Sequence, residues 1–165
     1  MDRLWSPWRL AYVSGNGEPE GCVFCDAQVH EQAEPLLLFR GTTCFVILNL
    51  YPYNNGHLMV VPNRHVATLA LAMPEELAEM MRLTRAAEIV LTEGYRPQGL
   101  NVGMNLGRPA GAGIADHMHI HVVPRWTGDT NFMSVVGNVR VLPEELEQTG
   151  KRLRPIFERL ASENG

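Results

Sequence analysis

The chain has 165 residues, of which 45% are hydrophobic and 19% charged, an ordinary balance for one globular domain. Its 14 basic and 18 acidic residues give a formal charge of -4, which argues against a general nucleic-acid binder but leaves room for a site that holds small anions. No apolar run reaches the roughly 20 residues that cross a bilayer, and the start MDRLWSPWRL lacks the apolar segment of a signal peptide, so a cytoplasmic protein without a membrane partner is expected.

Residues 1–33 read as an irregular arm, rich in Gly, Pro, Trp and charge, that carries GCVFCD. The cysteines, Cys22, Cys25 and Cys44, are odd in number, and a Cys-x-x-Cys pair in an intracellular chain suggests a metal or redox pair rather than a disulfide framework. A redox pair would want the motif leading from a strand into a helix, and neither is evident. Cys44, between Thr43 and Phe45, reads as a small buried side chain.

Residues 34–126 form the expected core, and residues 127–165 an extension packed on the same domain. PLLLFR and TCFVILNL read as strands around a turn at Gly41, and GHLMVVP as a third strand after the loop NLYPYNN. Pro74, Glu75 and Glu76 make a good first helical turn, because proline suits that position and carboxylates suit the positive end of the helix dipole. Leu77, Met80, Met81, Thr84, Ala87 and Leu91 follow at helical spacing, and Gly94 can stop the helix. GLNVGMNLG, residues 99–107, reads as a fourth strand and RPAGAGIAD as a glycine-rich connection. A C-terminal helical pattern starts at Pro143, with Leu146, Leu153, Phe157 and Leu160, and Gly150 and Pro155 can break or bend it. Strands, helix and strands with short connections predict an α+β domain with a mainly antiparallel sheet.

The fifth strand is HMHIHVVP, residues 117–124, which spends three of the chain's six histidines. Side chains alternate along a strand, so His117, His119 and His121 share one face while Met118, Ile120 and Val122 share the other. Three uses remain open: a solvated face, a metal site built from all three, or catalysis. Gly107, Gly111 and Gly113 upstream let backbone N–H groups approach an anion, and Arg108 and Arg125 can add charge-assisted hydrogen bonds. Neutral imidazole is a competent nucleophile toward phosphorus when its other ring nitrogen is held by an acceptor. Trp5, Trp8 and Trp126 are suited either to stacking a base or to packing the arm.

The run His117-Met-His119-Ile-His121-Val-Val resembles the signature of the histidine triad (HIT) superfamily of nucleotide hydrolases and transferases. Residues 45–66 and 99–126 resemble its early and late strands. The resemblance implies a five-stranded antiparallel sheet with one long helix, dimerised into a ten-stranded sheet. It also implies that His119 attacks the α-phosphorus to give a nucleotidyl-histidine, and that His121 contacts phosphate near the leaving group. Asn49 would match the ribose site, His57 the nucleotide cleft and Asn105 an amide that reaches the phosphates, with Gly111 and Gly113 beside them. The stretch Gly113-Ile114-Ala115-Asp116 departs from the Gln or Ser that family enzymes often carry there.

RLWSPWRLAYV, NLYPYNNGHLMVVP and HVVPRWTGDTNFMSVVG are similar to a bacterial branch related to diadenosine tetraphosphate phosphorylases. The implied substrate is a dinucleoside polyphosphate, with inorganic phosphate as acceptor, or water if the chemistry is hydrolysis. A nucleoside phosphoramidase and a nucleotide-sensing module are the rival readings. Uridylyltransferases fit less well, because their motif ends in glutamine where His121 stands. In the zinc-containing subset of the superfamily, Cys22 and Cys25 would join His65 and His117 in a closed tetrahedron. His30 matches nothing recognisable and is expected to face solvent.

Overall fold

The computed structural model describes residues 21–29, 35–129 and 144–163. In chain order these build helix α1 (Val23–Val29), strands β1 (Leu37–Arg40), β2 (Cys44–Leu48) and β3 (Leu58–Pro62), helix α2 (Pro74–Tyr95), strands β4 (Gly99–Gly103) and β5 (Ile120–Arg125), and helix α3 (Leu146–Glu163). The strands form one five-stranded sheet in the order β1-β2-β3-β5-β4, and every neighbouring pair is antiparallel. Trp5, Trp8, His30 and Pro143 lie outside the described residues.

Alternation along the strands sorts the side chains into two layers. On one face Cys44, Val46, Leu48, Leu58, Val60, Ile120 and Val122 pack under α2 and α3, through Met80, Leu83, Ala87, Val90, Leu91, Leu153 and Phe157. On the other face Phe24 and Ala27 of α1 cover Leu37, Phe45, Ile47, Met59 and Val61. Among the described residues two helices pack on the first face and one short helix on the second, the face that His121 of β5 shares.

α1 was not expected in the irregular arm. At seven residues it is too short for a periodic pattern, and its stability comes from burying Phe24 and Ala27 rather than from propensity. α2 begins as predicted: Pro74 opens it, and the Glu76 carboxylate reaches back to accept the Met73 N–H at 2.8 Å. It does not stop at Gly94 but continues to Tyr95 and closes at Arg96, whose φ of 49° is left-handed. Gly94 serves the packing of α3 instead, since a Cβ there would lie 2.7 Å from Leu153 Cδ2. α3 runs unbroken past Pro155. The proline removes one helical hydrogen bond, costing about 3 kcal/mol, and burial of Leu153 and Phe157 on either side, about 1.5–3 kcal/mol each, offsets it.

β4 is shorter than expected, ending at Gly103, and β5 begins at Ile120 rather than His117. The late start of β5 has its cause in the neighbouring strand. β3 ends at Pro62, which has no N–H to donate, so the ladder between β3 and β5 starts only with the Val60–Ile120 pair. Alternation nevertheless persists upstream of the ladder, with Met118 buried in the α2 layer and its N–H donated to Val66 O at 2.8 Å.

Candidate functional site

The sequence GCVFC brings a metal-binding cluster together at the start of α1. The ligand atoms of Cys22, Cys25, His65 and His117 all lie within 4.8 Å of one another. His117 is fully buried, and its Nε2 donates to Pro62 O at 2.8 Å, because a carbonyl oxygen can only accept. The lone pair therefore sits on Nδ1, which faces Cys22 Sγ at 3.2 Å and Cys25 Sγ at 3.7 Å. His65 Nδ1 lies 3.5 Å from Cys25 Sγ. Burial and the neighbouring Cys22 push the Cys25 thiol above its ordinary value, and a cation between the sulfurs reverses that preference by coordinating the thiolate. The chain thus holds a Cys₂His₂-type metal site whose buried histidine already donates its other ring N–H to a carbonyl, as metal-bound imidazoles do. The three histidines do not form one metal site: His117 turns to the cysteines while His119 and His121 face the open side of the sheet.

His119 is 5% exposed. Its Nδ1 donates to His117 O at 3.0 Å, which leaves Nε2 as the nitrogen with the lone pair. Burial lowers the His119 pKa against the opposing pull of that carbonyl, which favours the neutral ring. His119 and His121 meet edge to face, with ring centroids 4.7 Å apart.

A second chain of hydrogen bonds sets the proton on His121. The backbone N–H of Tyr53 can only donate, and it reaches His57 Nδ1 at 3.0 Å, beside Asn49 Nδ2 at 3.3 Å. His57 must then carry its proton on Nε2, which donates to His121 Nδ1 at 3.0 Å. His121 is thereby left with Nε2–H as a donor. Burial, then the neighbouring His119, pushes the His121 pKa down to about 4. Asn49 is itself oriented by Tyr51 N–H, which donates to its Oδ1 at 2.9 Å. The Tyr53 ring stacks on His57 at 4.8 Å between centroids. Tyr53 and Phe24 were missed in the sequence; the aromatic loop YPY was the one signal available for the former.

The glycine-rich connection folds differently from a simple nest. Gly107 and Gly111 have φ of 85° and 92°, but the Gly111 and Ala112 N–H groups donate to Arg108 O and Gly107 O at 2.9 and 3.3 Å. Asn105 Nδ2 donates to Gly111 O at 3.3 Å, and Gly113 is exposed. Arg125 does not reach toward an anion: it binds Asp129 through Nε and Nη2 at 2.6 and 2.8 Å and Asn101 Oδ1 at 2.8 Å. Trp126 packs edge-on against Tyr95, with centroids 6.3 Å apart.

Residues 31–128 match the HIT domain family. The chain belongs to the HIT family. Among its HIT relatives, a protein from Mycobacterium tuberculosis described as AP-4-A phosphorylase is 41% identical over 161 residues, spanning 93% of this chain and 83% of that one. The zinc-bound histidine triad family protein from Mycobacterium smegmatis superposes with a TM-score of 0.70 and 31% identity, over 87% of this chain and 97% of the other. A hypothetical histidine triad nucleotide-binding protein from Sulfolobus tokodaii gives a TM-score of 0.69 at 27% identity, covering 84% and 93%.

Proposed function

We propose that this HIT protein is a diadenosine tetraphosphate phosphorylase that works through a nucleotidyl-His119 intermediate. The observation that carries the reading is the Nδ1–H bond from His119 to His117 O, which leaves the lone pair of the His119 ring on Nε2, next to a His121 that carries its proton on Nε2. The AP-4-A phosphorylase relative at 41% identity supports the choice of substrate. His119 Nε2 attacks the α-phosphorus, the bridging P–O bond breaks, and its electron pair leaves with ATP, whose departing oxygen accepts a hydrogen bond from His121 Nε2–H. An oxygen of inorganic phosphate then attacks the same phosphorus, the N–P bond breaks, ADP leaves, and the lone pair returns to Nε2. Asn49 and His57 border the nucleotide on one side, with Asn105, Gly111 and Gly113 toward the phosphates on the other.

Cys22, Cys25, His65 and His117 suit zinc, and a closed site of this donor set is structural: it ties α1 to the segment that carries His119. A homodimer is the proposed assembly. β4 is an edge strand, and beside it an apolar groove of about 310 Å³ is lined by Leu69, Leu77, Met80, Met81, Val102 and Met104. Pairing two β4 edges would cover both. No described helix is long and apolar enough to cross a membrane.

The test is incubation with diadenosine tetraphosphate, with and without phosphate. ADP and ATP formed only with phosphate support phosphorolysis. AMP and ATP in both conditions would make the protein a hydrolase, and no turnover would overturn the assignment in favour of a phosphoramidase or a nucleotide sensor.

A further inference from the structure

We propose that Phe24 is a positioning residue for His119, the side chain through which the metal cluster orients the nucleophile. The inference rests on the proposed role of His119. Phe24 stands between the two cysteine ligands, is 2% exposed, and touches both histidines. Its ring centroid lies 4.8 Å from that of His119 and 5.4 Å from that of His117. Attachment at Cβ and the hydrogen bond from Nδ1 to His117 O hold one edge of the His119 ring and leave its far edge to be held by packing. The rings packed against that of His119 are Phe24, tilted by 56°, and His121, edge-on at 80°.

The position of Phe24 depends in turn on α1, whose seven residues cannot hold a helix by themselves. α1 is anchored by Cys22 and Cys25 at its start, by burial of Phe24 and Ala27, and by Gln28 Nε2 donating to Asn63 O at 3.0 Å. Metal ligation therefore acts on His119 along two covalently short routes: the His117 carbonyl and the Phe24 ring. A ring displaced by about 1 Å from the line of attack costs up to about 100-fold in rate, and this cost falls on the chemical step rather than on substrate binding.

The experiment compares wild type, Phe24→Leu and Phe24→Ala as metal-loaded protein. Three quantities are read: metal per chain, affinity for a non-hydrolysable dinucleotide analogue, and the single-turnover rate of adenylyl-enzyme formation. Both variants are expected to keep their metal and bind the analogue within about twofold of wild type, while the single-turnover rate falls about 10- to 100-fold in Phe24→Ala and less in Phe24→Leu. Chelation is expected to slow wild type and to add little to the loss in Phe24→Ala, because both act on one ring. An unchanged rate in Phe24→Ala, a loss confined to affinity, loss of metal in both variants, or chelation and substitution effects that simply multiply would each overturn the inference. Absence of an adenylyl-enzyme in wild type would instead locate the failure in the assignment of His119.

Discussion

His119 and His121 carry the same side chain in similar surroundings, yet the backbone leaves them with opposite hydrogen-bonding capacity at Nε2. A carbonyl acceptor leaves His119 with its lone pair on Nε2, and a relay that starts at the Tyr53 N–H leaves His121 with its proton on Nε2. His57→Ala removes the middle of that relay, frees the His121 tautomer, and is expected to lower kcat about 100-fold or more with a smaller change in KM, as steady-state kinetics will show. The depressed His121 pKa also predicts a pH effect on stability. The folded protein resists protonating His121 until about pH 4, whereas the unfolded chain takes that proton near 6.5, so the unfolded state binds more protons between the two values and stability falls as pH drops through them. Denaturant midpoints measured from pH 7 to pH 4.5 should fall less steeply for His121→Asn than for wild type; parallel slopes would count against the shift. The alternation in HMHIHVVP made the shared face legible, because strand periodicity depends on residue spacing alone. Which nitrogen carries each proton was not legible, since that is decided by carbonyl and N–H groups of the main chain.

Among the elements, β1 to β3 and α2 were legible because their apolar periods run long enough to stand out, and β2 and β3 are buried along their whole length. α1 escaped notice because tertiary burial, not pattern, sustains it. Gly94 was read as a stop signal, although its missing Cβ is what admits Leu153. Gly94→Val is expected to destabilise the fold by about 1–3 kcal/mol through overpacking, seen as a lower denaturant midpoint at unchanged slope. The segment that carries His65 is tied to α2 by Arg64, whose Nε and Nη2 hold the Glu76 carboxylate at 2.9 and 2.8 Å, with Nη2 also on Leu71 O at 2.9 Å. Arg64→Ala should therefore speed metal loss to a competing chelator; metal retention equal to wild type would detach this clamp from the metal site.

At the scale of the whole molecule, the sheet separates two functions by face. α2 and α3 complete the core on one side, and the other side presents the metal cluster, the histidine pair and the loop 49–57. Cys22→Ser or Cys25→Ser should abolish stoichiometric metal binding and lower the midpoint of thermal unfolding, because a structural site contributes its binding energy to folding. Val102→Arg, on the exposed β4 edge, should shift the proposed dimer toward monomer in sedimentation. The Cys-x-x-Cys spacing pointed to the metal site, but its two histidine partners are separated from it by 40 and 92 residues in sequence, a distance that only the resemblance to the HIT family bridged before the fold brought them together. The most direct measurement is to mix the protein with diadenosine tetraphosphate in the absence of phosphate, stop the reaction under alkaline denaturing conditions that preserve phosphorus–nitrogen bonds, and map the modified peptide by mass spectrometry. One adenylyl group on His119, absent from His119→Ala, is the expected result; turnover with no adduct, or an adduct on another residue, would contradict nucleotidyl transfer through His119.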